Sequence, residues 1–248
     1  MIPLIRGIYT AGSGMLAETT RADTVANNLA NGNTTGYKKD IAISKDFASL
    51  LIRRINDGKE APAIGTLGIG TMIDEIATIH TGGAMNPSGN SLDFAIEGKG
   101  YFVVETPAGE RFTRNGAFSR NGQGQLVTGE GQRVMGQNGA ITIPDGTLTV
   151  EESGRITVDG VEVGQMRVVE FANERELLKE GNSLFRAPDN GQQATGKVLQ
   201  GFLERSNVNI VAEMVNMISG YRAYEVNAKT VQAHDQLLDK AVNEVGKV

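Results

Sequence analysis

The C-terminal stretch carries apolar residues at alternating 3- and 4-residue steps, a spacing that an α-helix brings onto one face. Val211, Met214, Ile218 and Tyr221 begin the series, and Tyr224, Ala228, Val231, Asp235, Leu238, Val242 and Val245 resume it. Asp235 is its one polar member, and the second 3-residue step, Tyr221 to Tyr224, is its one irregularity. Such a seam has the period of a coiled coil with a local stammer. From Asn209 to Val245 the helix would extend roughly 55 Å, at about 1.5 Å per residue. A helix of that length overhangs a compact domain, so its apolar stripe needs a partner from elsewhere. The feature points to assembly before it points to catalysis.

The N-terminal segment has its own seam: Ile5, Ile8, Gly12, Met15, Thr19, Ala22, Ala26 and Leu29. Several members are small, so a partner helix could approach closely while burying less apolar area per turn. Asn31-Gly32 should end this helix, glycine being the residue that takes the left-handed C-cap conformation without steric cost. Asn33-Thr34-Thr35-Gly36-Tyr37 then supplies a turn cluster. A shorter helix is expected from Ile43 to Ile55, with Phe47, Leu50, Leu51 and Ile55 at helical spacing. Gly58 to Gly70, with Pro62, Gly65 and Gly68, reads as a hinge.

From about Thr71 to Leu203 the period falls towards two, and turn residues punctuate it. Glycine is abundant at 32 of 248 residues, and many sit in turn contexts here. Expected strands are Ile73–Ile79, Leu92–Ile96, Tyr101–Glu105, Arg111–Arg114, Gln125–Thr128, Arg133–Gly136, Thr147–Val150, Arg155–Val158, Met166–Phe171 and Lys197–Leu203. Asp159-Gly160 signals a type I′ hairpin between two of the runs. Asn209 can cap the final helix, whereas Glu213 lies one position too late for a capping box but close to the positive end of the helix dipole.

The reading is an α+β chain. A discontinuous helical, coiled-coil domain is made from the N- and C-terminal helices, with an all-β domain of hairpins inserted. Its parts are an N-terminal helical assembly segment (1–57), a Gly-rich linker (58–70), the all-β domain (71–203) and the long C-terminal helix (204–248) pairing with the N-terminal one.

Composition argues against several function classes. A net charge of −5 without clustered Lys and Arg gives no reason to expect nucleic acid. No window approaches the ~20 apolar residues of a membrane span, and the opening residues have no apolar segment long enough for a secretory signal. There is no cysteine, hence no disulfide or thiolate metal site. His80 and His234, the two histidines, belong to no metal or catalytic spacing. Gly65 to Gly70 has the wrong order for a dinucleotide loop and lacks the lysine of a P-loop. Asp93, Glu97 and Glu105 could be imagined as supplying a paired-carboxylate site, but Asp93 alternates with Leu92 and Phe94 as a solvated strand face does. Asn33-Thr34-Thr35 fits the N-glycosylation pattern, but a three-residue match arises often by chance and a helix-to-turn junction explains these residues without it. No catalytic constellation emerges, so neither an enzyme nor a cofactor or metal is expected.

Two polar clusters remain. For the first, a helix C-terminus with its turn and amides hydrogen-bonding across a helix–helix or subunit contact are equal readings; for the second, capping explains Asn209 but not the rest. Ala26-Asn27-Asn28-Leu29-Ala30-Asn31 stacks asparagines in the last turns of a helix, where propensity is poor. Leu203-Glu204-Arg205-Ser206-Asn207-Val208-Asn209 precedes the second helix. The first, running on through Gly32-Asn33-Thr34-Thr35-Gly36-Tyr37-Lys38, resembles the N-terminal signature of bacterial flagellar rod and hook proteins. The second, with Glu213-Met214-Val215, Tyr221-Arg222-Ala223-Tyr224-Glu225 and Asn227-Ala228-Lys229, resembles their C-terminal signature. Asp93 to Phe102 and Phe112-Thr113-Arg114-Asn115-Gly116 resemble their middle, so the resemblance covers nearly the whole chain in order.

The resemblance implies a structural subunit of the flagellar basal-body rod. It would be exported through the flagellar type III apparatus without a cleavable signal, and would polymerise through its terminal helices into a torque-transmitting shaft outside the cytoplasm. Its partners would be other rod proteins and copies of itself. Length and the region Arg133 to Pro144 resemble the proximal-rod member, which is favoured; Gly65 to Thr71 and Tyr221 to Glu225 resemble the distal-rod member. A hook-type paralogue, a self-contained scaffold or adhesin with an intramolecular coiled coil, and an enzyme using the exposed acids are the competing readings. The expected interface residues are Ile8, Met15, Asn27, Asn28, Leu29 and Tyr37 on the N-terminal side and Met214, Ile218, Tyr221, Tyr224, Val231 and Leu238 on the C-terminal helix. The terminal helices are expected to stay poorly ordered until neighbours bury their stripes, because fixing backbone costs about 1–2 kcal/mol per residue.

Overall fold

A computed structural model describes residues 2–46, 49–53 and 63–243. Phe47 and Ile55 of the expected short helix, Gly58 and Pro62 of the expected hinge, and Val245 of the C-terminal seam lie outside the described residues. Among the described residues the α-helices are α1 (Ile2–Ala30) and α2 (Ile210–Asn243). α2 starts where its cap predicts: the Asn209 side-chain oxygen accepts from Ala212 N at 3.1 Å, and Asn209 O accepts from Glu213 N at 2.9 Å. At about 1.5 Å per residue its 34 residues extend roughly 50 Å.

The short helix expected after Ile43 is replaced by strands. These are β1 (Asp40–Asp46), β2 (Ser49–Arg53), β3 (Ala63–Gly68) and β4 (Thr71–Thr78). β1 pairs with β4, and β2 with β3. In β1, Ile41 and Ile43 alternate with Ala42 and Ser44, the strand period, while the run Leu50-Leu51-Ile52 suits either structure by sequence alone. A partner decides it: Leu50 lies opposite Leu67 and Ile52 opposite Gly65. The second half of the expected hinge is therefore strand, because its glycines face a ladder that supplies their hydrogen bonds.

By contacts the chain divides into two units, one of residues 1–29, 40–77 and 209–248, the other of 30–39 and 78–208. In the first, α1 holds the β1–β4 ribbon by polar pegs. Thr10 Oγ1 donates to Ile69 O (3.1 Å), Thr71 N donates to Ser13 Oγ (3.2 Å), and Arg21 Nη2 donates to Ser44 Oγ (3.1 Å).

The second unit is built on a ten-stranded antiparallel sheet. Tyr101–Thr106 runs near its middle, and its alternate side chains enter two separate cores. Phe102 and Val104 pack with Phe94, Ile96, Leu126 and Ile156; Tyr101 and Val103 pack with Phe112, Phe171 and Phe185. A strand buried on both faces loses the polar alternation of a half-solvated one. Most expected strands form, and Arg133–Gly136 and Arg155–Val158 form with the expected limits. Lys197–Leu203 is split into Lys197–Gln200 and Phe202–Glu204 by Gly201 (φ +76). Asp159 (φ +51) and Gly160 (φ +83) form the type I′ turn that joins Arg155–Val158 to Val161–Gln165. Asp93 corrects the sequence reading: it is buried, bridges to Ala117, and accepts from Asn90 Nδ2 at 3.1 Å. Its alternation with Leu92 and Phe94 reflects two covered faces, not a solvated one.

Candidate assembly interface

The terminal helices touch through a stripe that apolar periodicity picks out only in part. A Cβ at Gly7 would run into the imidazole of His234; one at Gly14 would lie 2.9 Å from Asn227 Nδ2; one at Gly220 would lie 3.3 Å from Glu18 Oε2. Asn28 Nδ2 reaches Glu213 Oε2 at 3.5 Å. Low numbers on α1 meet high numbers on α2, so the helices run antiparallel. On α1, Gly7, Ala11, Gly14, Glu18, Arg21, Val25 and Asn28 are fully or partly covered; on α2 the same holds for Glu213, Met217, Gly220, Ala223, Asn227, Val231, His234 and Leu238. Both rows step by 3 and 4 residues, the spacing of facing helices.

The predicted seams stand in a definite relation to these rows. On α1 the expected series Ile8, Gly12, Met15, Thr19, Ala22, Ala26 and Leu29 is the adjacent row, one residue or about 100° round the helix. Ile8, Met15 and Leu29 are partly covered, Asn27 is exposed, and Asn28 is buried. On α2 the stammer proves to be a change of face. After it, Val231 and Leu238 lie in the covered row. Before it, Met214, Ile218 and Tyr221 point to solvent, with Ile218 56% and Tyr221 70% exposed, and Tyr224 sits at the edge between the faces at 37%. Val211 and Val215 extend the outward row, and Tyr9 and Leu16 stand exposed seven residues apart on α1. Of these four, Val211 alone stands in the expected seam and none among the expected interface residues, although Val211, Val215 and Ile218 keep i, i+4, i+7 spacing.

The asparagine cluster has a local task as well. Asn28 Nδ2 donates to Asp40 O (2.7 Å) and its Oδ1 accepts from Asp40 N (2.9 Å), an amide copying a strand partner at the entry to β1.

The remaining signature residues converge inside the second unit. Glu204 Oε1 accepts from Lys38 Nζ (2.5 Å) and Gly83 N (2.9 Å), while Glu204 Oε2 faces Arg114 Nη1 at 3.2 Å. Arg114 also donates to Ile96 O (3.0 Å) and Gly98 O (2.7 Å), and Lys38 Nζ donates to Thr81 O (2.9 Å). All three side chains are buried, and burial pushes the Lys38 ammonium below its ordinary pKa against the pull of Glu204. The chain reaches this point through Gly36 (φ +66), where a Cβ would strike the Arg114 backbone. Asn207 closes the other side: its Oδ1 accepts from Lys39 N (2.8 Å), and its Nδ2 donates to Ile79 O (2.8 Å) and Thr81 O (3.1 Å). Tyr37, expected at an interface, is buried in this unit, with Lys179 Nζ 3.8 Å above its ring centroid. His80 lies 2.8 Å from the Tyr101 hydroxyl, a core contact.

Three family models match the chain in segments. One described as flagella basal body rod protein matches residues 8–38; one described as the flagellar hook protein FlgE/F/G D1 domain matches 95–158; one described as flagellar basal body rod FlgEFG protein C-terminal matches 199–244. The chain is 36% identical to the flagellar basal-body rod protein FlgG of Bacillus subtilis, over 97% of this chain and 99% of the relative. It is 34% identical to the protein of the same name from Borreliella burgdorferi, over 97% and 98%. It is 30% identical to the flagellar hook-basal body complex protein FlhO of Bacillus subtilis, over 99% and 100%. The favoured proximal-rod reading draws no support from these names.

Proposed function

Because this chain belongs to the flagellar basal-body rod protein family, we propose that the apolar rows exposed on α1 and α2 are what its neighbours in the shaft cover. The chain is a structural subunit of the basal-body rod and not an enzyme. Relatives named as rod proteins match it almost end to end, which disfavours a hook-type paralogue or a free-standing adhesin. No described helix is long and apolar enough to cross a membrane. The finer reading is that α1 and α2 form a two-helix wall whose outward rows pack, in coiled-coil fashion, against helices of adjacent copies and other rod proteins. The subunit reaches that place outside the cytoplasm through the flagellar type III export apparatus.

One observation carries this reading. Val211, Met214, Val215, Ile218 and Tyr221 form an exposed apolar row on a helix whose opposite face is already occupied. Burying each large side chain of such a row returns roughly 1.5–3 kcal/mol, and the described residues of one subunit leave it uncovered. The test is complementation. Cells lacking the chain should not swim and should show basal bodies with an incomplete rod. The wild-type chain should restore both, and a chain carrying Ile218→Asp and Tyr221→Asp should restore neither while being made at normal level. Swimming by the doubly substituted strain would overturn the reading.

A further inference from the structure

The contacts between α1 and α2 repeat in a way that assembly alone does not require. Gly7 and Gly14 stand seven residues apart on α1, and Gly220, Asn227 and His234 stand seven apart on α2. Each glycine leaves a notch in its helix, and each notch is filled by a polar side chain of the other: His234 at Gly7, Asn227 at Gly14, and Glu18 at Gly220. Asn28 and Glu213 close the row.

We infer that these glycine notches and the polar side chains seated in them set the register of the α1–α2 pair, and with it the height of the exposed apolar row. The row is poorly made for adhesion. Glu18 Oε2 and His234 Nδ1 are buried with no hydrogen-bond partner among the described residues, a cost that an apolar seam would not carry. It is well made for discrimination, because a polar residue at a seam position specifies alignment at the expense of stability. A seam with a seven-residue repeat invites slips of seven residues, and here both slips are penalised. Sliding one way sets Gly14 against Gly220, two notches with no side chain to fill them. Sliding the other way sets Asn227 against Arg21 and strips Gly7 of its histidine. Either slip moves the apolar row by about 10 Å along α1, out of reach of neighbours placed for the correct height. That last consequence rests on the assembly reading; the register assignment does not.

The experiment exchanges one notch and its occupant in the full-length chain. Gly14→Asn alone places side chain on side chain, Asn227→Gly alone places notch on notch, and the double variant restores one of each with the same residues present. Thermal melting of the purified protein is followed by its helical circular dichroism. Each single variant should melt about 5 °C below the wild type, and the exchange should return to within about 2 °C of it. Recovery in the exchange counts even where a single variant forms no helix pair at all. Losses that merely add in the double variant would overturn the register assignment. Normal swimming by cells lacking the chain would instead overturn the assembly reading, whatever the melting shows.

Discussion

Glu204 ties together segments from three parts of the chain. One buried carboxylate balances Lys38 from the N-terminal signature and Arg114 from the middle, and its backbone oxygen accepts from Gly36 N at 2.8 Å. Three segments remote in sequence are thus held at one point. Removing one partner from a buried ion cluster costs about 3–5 kcal/mol, since it strands the charge of the others. Glu204→Gln keeps the shape and removes the charge, leaving two buried cations facing an amide. The β-rich unit should lose about that much in urea unfolding, monitored by tyrosine fluorescence; a change under about 1 kcal/mol would show that the cluster is not held by this charge. Periodicity could not find this residue. The stretch around Glu204 carries more polar residues than a cap needs, but nothing local in it identifies the ammonium that meets its carboxylate.

At the scale of the helix, α2 divides its labour by face. The covered face sets small and polar residues, Glu213, Gly220, Asn227 and His234, among the apolar Met217, Val231 and Leu238; the outward face carries Val211, Val215, Ile218 and Tyr221. A reading that searches for apolar repeats finds the outward face first and takes it for the helix–helix seam. That is why the predicted seam of α2 crosses from one face to the other at Tyr221–Tyr224. An exposed side chain contributes little to the stability of its own subunit. Ile218→Ala should therefore leave unfolding of the isolated protein within about 0.5 kcal/mol of wild type while lowering swimming, scored on soft agar against expression. A large loss of stability in the isolated protein would mean that Ile218 is already packed within the subunit.

The whole chain joins a well-buried β unit to a helical unit whose outer faces are bare. Long helices solvated along one side lie near the balance between backbone ordering and burial. Limited proteolysis of the purified subunit should accordingly cut within α1 and α2 well before residues 78–208, and resistance of the helices equal to that of the β unit would contradict it. The same contrast explains which parts of the fold could be read early. Hairpins such as Arg155–Val158 with Val161–Gln165 are local, and Asp159-Gly160 announces their turn. The β2–β3 pairing takes its ladder from Ala63–Gly68, in a segment that looks like an open hinge until its partner is known.

The amino-acid sequence by itself determined the family, the two long terminal helices, the cap at Asn209 and most of the strands, because each depends on residue types at short, fixed spacings. Only the tertiary structure decided which face of each helix is turned inward, that residues 40–46 and 49–53 pair as strands, and that Lys38, Arg114 and Glu204 meet. Those outcomes depend on groups far apart in the chain, where small and polar residues win a contact by fit and charge and leave no apolar rhythm to announce it.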